Sequence, residues 1–346
     1  MRVLFWYPVN YAGNCNGSTT WGINMIHILA SVPNISLDVL YCGDTPPPVK
    51  CKNVTYKKSQ CNESITLLKY FDRVVNTYDY FIMRAAKILH NAQLYKYMMN
   101  SKFVRKLVVC AIGNYSFYQE LSNKCFRIVS TSRYYNDYVT RKHSINERLY
   151  YFLPISSKFV FTPSKLNSKV IKFVYAGANR GKDVLLQNMI KSFLSIKVNG
   201  FSTVLHIYTN SKNNEFKSLP SNVKIIRPIS RGKLFRILPS YHFSYSIFNR
   251  PHHLFYSTKT IESLMNGVIT IVNGYDACRD LLGENYPFVS IERLGADSNT
   301  LVNKYWNKTL YTQLITEQQE RLKPFLLQSC TQAMTKALSP KESSND

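Results

Sequence analysis

A cationic loop closes one strand-like run of this chain, VYAGANRGKD, residues 174–183. The apolar run breaks at Gly177, and Arg180 and Lys182 follow just before a helix-like stretch begins. A strand–glycine–helix junction of this kind points free backbone N–H groups and the positive end of a helix dipole at one spot, which suits an anion. An Arg there grips two oxygens at once, while a Lys acts as a point charge. The spacing also says which phosphate site this is not. A Walker A loop needs a longer spacer between its glycines and a hydroxyl for Mg²⁺, and here Asp183 stands where the hydroxyl belongs. The Rossmann GxGxxG spacing fails as well. The same residues also read as a plain basic turn ahead of a helix.

A second stretch narrows the chemistry: FYSTKTIESLMNGVITIVNGYDACRDLL, residues 255–282. Ser257 and Thr258 are good N-cap residues, Lys259 falls in the first turn, and Glu262 lies about one turn further on. Gly267 then stops the helix before a buried strand. Such a helix presents N-terminal amides to a diphosphate while Glu262 reaches a sugar's vicinal hydroxyls, as the acidic residue of dinucleotide folds does for a ribose. Either helix alone reads as routine core packing. Together they place two anion-ready helix starts in one region.

These residues carry a resemblance. KFVYAGANRGKDVLLQNMIKSF is similar to the strand–glycine–Arg/Lys segment of the GT-B glycosyltransferases, most of all the large retaining family 4, the group 1 glycosyl transferases. STKTIESLMNGVITIVN resembles that family's PTK-x-x-E segment, and ISRGKLFRILPSYHFSYSIF resembles the stretch that precedes it. The resemblance is good over about residues 170–290 and loose over 1–160, where an initial strand, a Gly-containing loop and YDYFIMR correspond. It implies a nucleotide-diphosphate sugar as donor, with no cofactor and no metal. Arg180 and Lys182 would hold the diphosphate and Glu262 the ribose, the catalytic set. Gly177, Asn179, Ser257, Thr258 and Lys259 would line the donor, and Gly17 would let the first loop approach it. Leu254 stands where the family's E-x7-E pair has its first carboxylate, and the first loop is less Gly-rich than usual. An inverting enzyme would need a base, for which Asp137 and Glu120 are the carboxylates at hand.

The elements that must position these residues follow an alternating pattern. Strand-like runs at Val3–Tyr7, Leu37–Tyr41, Tyr80–Met83, Lys106–Ala111, Phe126–Ser130 and Lys158–Thr162 alternate with helix-like stretches such as Thr20–Ala30, Arg84–Met99 and Phe117–Asn123. After a polar, Pro-containing stretch from Thr162 the pattern restarts. It runs through strands at Ile171–Ala176, Thr203–Thr209, Val223–Ile226, Phe243–Phe248, Val268–Val272 and Phe288–Ser290, and ends in a helix-like stretch, Leu310–Leu338. Alternation of this kind predicts α/β domains with parallel, helix-covered sheets. The expectation is a GT-B architecture: two doubly wound Rossmann-like domains facing across a cleft. Residues 1–165 form the acceptor domain, 166–325 the donor domain, and 326–346 a helix end with a disordered tail.

Charge speaks to partners. The chain has 44 Lys+Arg against 20 Asp+Glu, a net +24, among its 346 residues. That balance suits nucleic acid, anionic lipid or a polyanionic substrate, or serves solubility alone. Between Arg84 and Lys106 lie six Lys/Arg and no acid, interleaved with Leu94, Tyr95, Tyr97, Met98, Met99 and Phe103. Basic residues beside aromatics suit an anionic membrane surface carrying a lipid-linked oligosaccharide acceptor, with Arg84, Tyr95 and Lys96 as acceptor-binding residues. The aromatics also read as core under a solvated basic face. No run of about 18 apolar residues occurs, no signal sequence opens the chain, and the eight cysteines form no CxxC. The expected place is cytoplasmic, peripheral on the inner face of the plasma membrane. The alternative reading is a phage-type enzyme that sugars hydroxylated DNA bases, or a non-catalytic basic protein, with DNA as partner.

Overall fold

The computed structural model describes residues 1–7, 17–59, 64–84, 88, 91–111, 118–145, 149–152, 161, 166, 168–177, 183–209, 219–247, 255–274, 276–290 and 298–339. Its contacts divide the chain into two units, Met1–Lys158 with Pro324–Asp346, and Phe159–Lys323. Each is built on a parallel sheet.

In the first unit the strands are β1 (Arg2–Tyr7), β2 (Ser36–Tyr41), β3 (Val54–Lys58), β4 (Tyr80–Met83), β5 (Leu107–Ala111), β6 (Arg127–Ser130) and β7 (Leu149–Tyr151). Among the described residues they form the order β3-β2-β1-β4-β5-β6-β7, parallel throughout. Val3, Leu4, Phe5 and Trp6 are buried in unbroken succession, as befits a central strand covered on both faces. The helices are α1 (Gly17–Ser31), α2 (Ile65–Arg73), α3 (Ala92–Asn100), α4 (Tyr118–Lys124) and α5 (Arg133–His143). The chain winds outward from β1 in one direction and from β4 in the other. Crossovers between parallel strands are right-handed almost without exception, and with this strand order that handedness puts helices on opposite faces of a sheet.

The second unit repeats the plan. Its strands β8 (Val170–Ala176), β9 (Ser202–Tyr208), β10 (Val223–Ile226), β11 (Phe243–Ser246), β12 (Ile269–Asn273) and β13 (Val289–Ser290) take the order β10-β9-β8-β11-β12-β13, again parallel. Its helices are α6 (Asp183–Leu194), α7 (Arg231–Ile237), α8 (Thr258–Met265), α9 (Asp276–Leu282), α10 (Ser298–Tyr305) and α11 (Lys308–Leu322). Each sheet therefore has a switch point, between β1 and β4 in one and between β8 and β11 in the other. Ligands of doubly wound sheets bind at the carboxyl ends of such strand pairs.

Three expectations change. The stretch Leu310–Leu338 is not one helix, because Pro324 has no N–H to donate and crowds the preceding turn. A 3-10 turn over Lys323–Phe325 separates α11 from a last helix, α12 (Leu327–Leu338). That helix belongs to the first unit, where Cys330, Met334, Ala337 and Leu338 bury in one core with Met25, Leu29 and Phe152. The helix expected over Arg84–Met99 is not continuous: Ile88 is helical, Arg84 and Asn91 are not, and residues 85–87, 89 and 90 lie outside the described residues. Within that stretch α3 starts at Ala92, where the Asn91 side chain accepts from Gln93 N and Leu94 N, both at 3.1 Å. The strand expected over Lys158–Thr162 lies outside the described residues except for Phe161, which is not in a strand. Among the described residues no helix is long and apolar enough to cross a membrane.

Candidate functional site

Gly177 follows β8 at the switch point of the second sheet, and its N–H extends the ladder by one bond to Tyr208 O, 2.9 Å. Two side-chain tips come close to the backbone here. A Cβ at this position would stand 2.3 Å from Lys259 Nζ and 2.7 Å from the Tyr175 hydroxyl. Lys259 reaches across from α8, its ammonium 5.4 Å from the centroid of the Tyr175 ring. Asn179, Arg180 and Lys182 lie outside the described residues, and α6 begins directly after them at Asp183.

The helix α8 is held at both ends. Ser257 is its N-cap, accepting from Thr260 N at 3.3 Å and sharing a hydrogen bond of 3.0 Å with Ser246 at the end of β11. Its hydroxyl is thus engaged in holding the helix start. At the other end Gly267 takes φ +72°, with Gly267 N bonded to Leu264 O and Val268 N to Ser263 O, a Schellman stop. Thr260 through Met265 are all buried. Thr258 and Lys259 in the first turn are half-buried, so the cationic end of the helix is its solvent-accessible part.

Glu262 is buried as well, and it has a partner absent from the sequence reading. Arg231, the first residue of α7, donates to Glu262 Oε1 from Nε at 3.1 Å and from Nη2 at 2.6 Å. Both side chains are nearly dry, 13% and 8% exposed, and the guanidinium also lies 4.8 Å over the Phe235 ring. Burial raises the Glu262 carboxyl above its ordinary range, while Arg231 and then Lys259 oppose the rise. Among the described residues both side-chain bonds that Glu262 accepts fall on Oε1, which leaves Oε2 for a further donor. The signal for Arg231 was faint. Ser230 caps α7, accepting from Lys233 N at 3.4 Å, and so fixes Arg231 at the helix start, but only the fold brings it to a residue 31 positions away.

In the first unit Gly17 is the first residue of α1, which follows β1. Arg84 follows β4, with its guanidinium 5.9 Å from the Trp21 ring of α1, so these two stand at the switch point of the first sheet. The basic–aromatic stretch divides. Met98, Met99 and Phe103 are core, Phe103 packing edge-on against Phe71 at 5.4 Å between centroids. Tyr97 donates to Asp72 Oδ2 at 3.0 Å, and Tyr95, half-buried on α3, donates to Glu120 Oε2 at 2.7 Å. Lys96 on the same helix is exposed. No group of three or more His, Cys, Asp or Glu comes together among the described residues.

The fold is the GT-B architecture, two doubly wound Rossmann-like units in one chain. Solved structures that share it include the Anabaena protein HepE in complex with UDP and glucose, with TM-score 0.66 and 11% identity over 98% of this chain and 99% of HepE. A glycosyltransferase from Rickettsia africae matches with TM-score 0.65 and 10% identity over 97% of both chains. The lipopolysaccharide outer core galactosyltransferase WaaB matches with TM-score 0.63 and 14% identity, covering 98% of this chain and 99% of WaaB. No family model matches the chain, and no curated protein matches its sequence.

Proposed function

We propose that the chain is a glycosyltransferase moving a sugar from a nucleotide-diphosphate donor to a growing cell-envelope glycan, an O-antigen, capsule or exopolysaccharide repeat unit on a lipid carrier. The carrying observation is the convergence of Gly177, Lys259 and the Arg231–Glu262 pair on the carboxyl edge of the second sheet, beside its switch point. The structural neighbours support it: HepE has been solved with UDP and with UDP-glucose, and WaaB is named for galactosyl transfer in the lipopolysaccharide outer core.

In this reading Arg231 fixes Oε1 of Glu262, so that Oε2 accepts from the vicinal hydroxyls of the ribose. Lys259 and the first turn of α8, from Ser257 and Thr258, face the diphosphate together with Gly177, Asn179, Arg180 and Lys182. As the glycosidic bond breaks, negative charge gathers on the departing diphosphate. Cations and helix N-termini fixed in place stabilise that charge, the role a metal fills in other enzymes. Transfer with retention follows the resemblance to family 4. The first unit would hold the acceptor through Gly17, Arg84, Tyr95 and Lys96, and a net charge of +24 would favour the anionic inner face of the plasma membrane.

The test is a titration of nucleotide sugars into wild type, Lys182→Ala and Glu262→Ala, with release of nucleoside diphosphate as the second readout. Each substitution removes a charge-assisted bond and should weaken binding about tenfold or more. If neither substitution weakens binding or turnover, the enzyme reading is wrong.

A further inference from the structure

Two hydroxyls beside Gly177 are left unsatisfied by the fold. Tyr175 is 0% exposed and Thr209 2%, and among the described residues neither Tyr175 Oη nor Thr209 Oγ1 has a hydrogen-bond partner. Buried hydroxyls are nearly always bonded, so an orphan calls for an explanation. These two are neighbours. The β8–β9 register pairs Tyr175 with Ile207 and Ala176 with Tyr208, and the bond from Gly177 N to Tyr208 O carries the pairing one step further. Thr209 N bonds Ile226 O, so its strand also continues one step beyond β9. Thr209 therefore stands beside Gly177, on the face that Tyr175 shares through the two-residue alternation of strands.

A cation stands at the same place. The Tyr175 hydroxyl and the Lys259 ammonium approach the same point, the vacant Cβ position of Gly177, within 2.7 and 2.3 Å. Burial pushes the Tyr175 phenol up to about 12, so at neutral pH it keeps its proton to donate. A buried phenol and a buried threonine hydroxyl next to a cation at the end of a central strand suit a ligand rich in acceptor oxygens.

We propose that Tyr175 and Thr209 donate hydrogen bonds to a phosphate of the nucleotide donor, bound beside Gly177 with Lys259. This rests on the donor reading above.

The experiment titrates UDP, ADP and GDP into wild type, Tyr175→Phe and Thr209→Val, and records thermal unfolding of each ligand-free protein. Tyr175→Phe removes an orphan hydroxyl, so its ligand-free Tm should equal or exceed that of wild type. Its affinity for the nucleotide that wild type binds should fall about tenfold, the loss of a hydrogen bond to a charged group. Thr209→Val should follow the same pattern. Unchanged affinity in both variants overturns the proposal while leaving the donor site standing, and so does a lower ligand-free Tm, which would mean the hydroxyls have partners within the protein. If wild type binds none of the three, the donor reading falls and this inference with it.

Discussion

Arg231 is the main partner of the Glu262 carboxyl, with Lys259 adding a weaker attraction. Burial favours its neutral form, and Arg231 opposes that with two hydrogen bonds and a full charge. Removing one partner of a buried pair strands the other, at a cost of about 3–5 kcal/mol. Arg231→Met should therefore destabilise the second unit by about that amount at pH 7, read from urea unfolding. The sign with pH follows from the direction of the shift. A carboxyl raised above its unfolded value contributes stability below the unfolded pKa and loses it as pH rises through the folded one. Without Arg231 the rise is larger, so the penalty of Arg231→Met should shrink between pH 7 and a pH close to the ordinary carboxylate range, as Glu262 takes up its proton. An equal penalty at both values would contradict the pairing. At this scale the placement of Lys259 and Glu262 on one helix and of Gly177 at a strand end was legible from residue type and spacing. Arg231, Tyr175 and Thr209 were not, because a partner 31 residues away and an unsatisfied hydroxyl are properties of packing.

The helix α8 is the element on which the site depends, since its first turn carries Lys259 and its second Glu262. Its N-cap joins two elements, Ser257 bonding Thr260 N within the helix and Ser246 on β11. Ser257→Ala should cost about 1 kcal/mol in urea unfolding and weaken nucleotide-sugar binding in the same variant. Weakened stability with unchanged binding would show that the first turn does not position the donor. The bounds of α8, Thr258–Met265, could be read directly, because Ser, Thr and Gly mark a helix start and stop through backbone chemistry. Five other elements were missed: β3, β7, α2, α5 and α10. The edge strand β3, VTYKK, has no continuous apolar run. The short α2 shows Leu67, Leu68 and Phe71 as its buried face only once the sheet is there to cover. In α5, RYYNDYVTRKH, aromatic and polar residues mix, and the Ser132 cap, bonding Tyr135 N at 2.9 Å, defines the start.

Across the whole molecule the strand–helix alternation specified two parallel sheets because each crossover is local in sequence. The return of α12 to the first unit is non-local, and the helical pattern of its residues gave no hint of which core they would enter. Met334 is 0% exposed in that core. Met334→Ala should cost about 2–5 kcal/mol. In a two-unit chain unfolding need not be a single step, so the loss should appear in the transition of the first unit while a donor-stabilised second transition keeps its midpoint. A shift of the second transition instead would assign α12 wrongly. The basic–aromatic stretch shows the same limit: composition left exposed and core readings both open, and in the fold Met98, Met99 and Phe103 fill the core, Tyr95 and Tyr97 are half-buried and Lys96 is outside.

The most direct test of the account is thermal unfolding of the wild-type chain with a panel of nucleotide-diphosphate sugars, since a ligand that binds only the folded state raises its stability by mass action. At a hundred times its dissociation constant, the true donor should raise the midpoint of the second unit by about 5–10 °C. The matching free sugar should raise it not at all. A flat response to every nucleotide sugar in the panel would contradict a donor site at Gly177, Lys259 and Glu262.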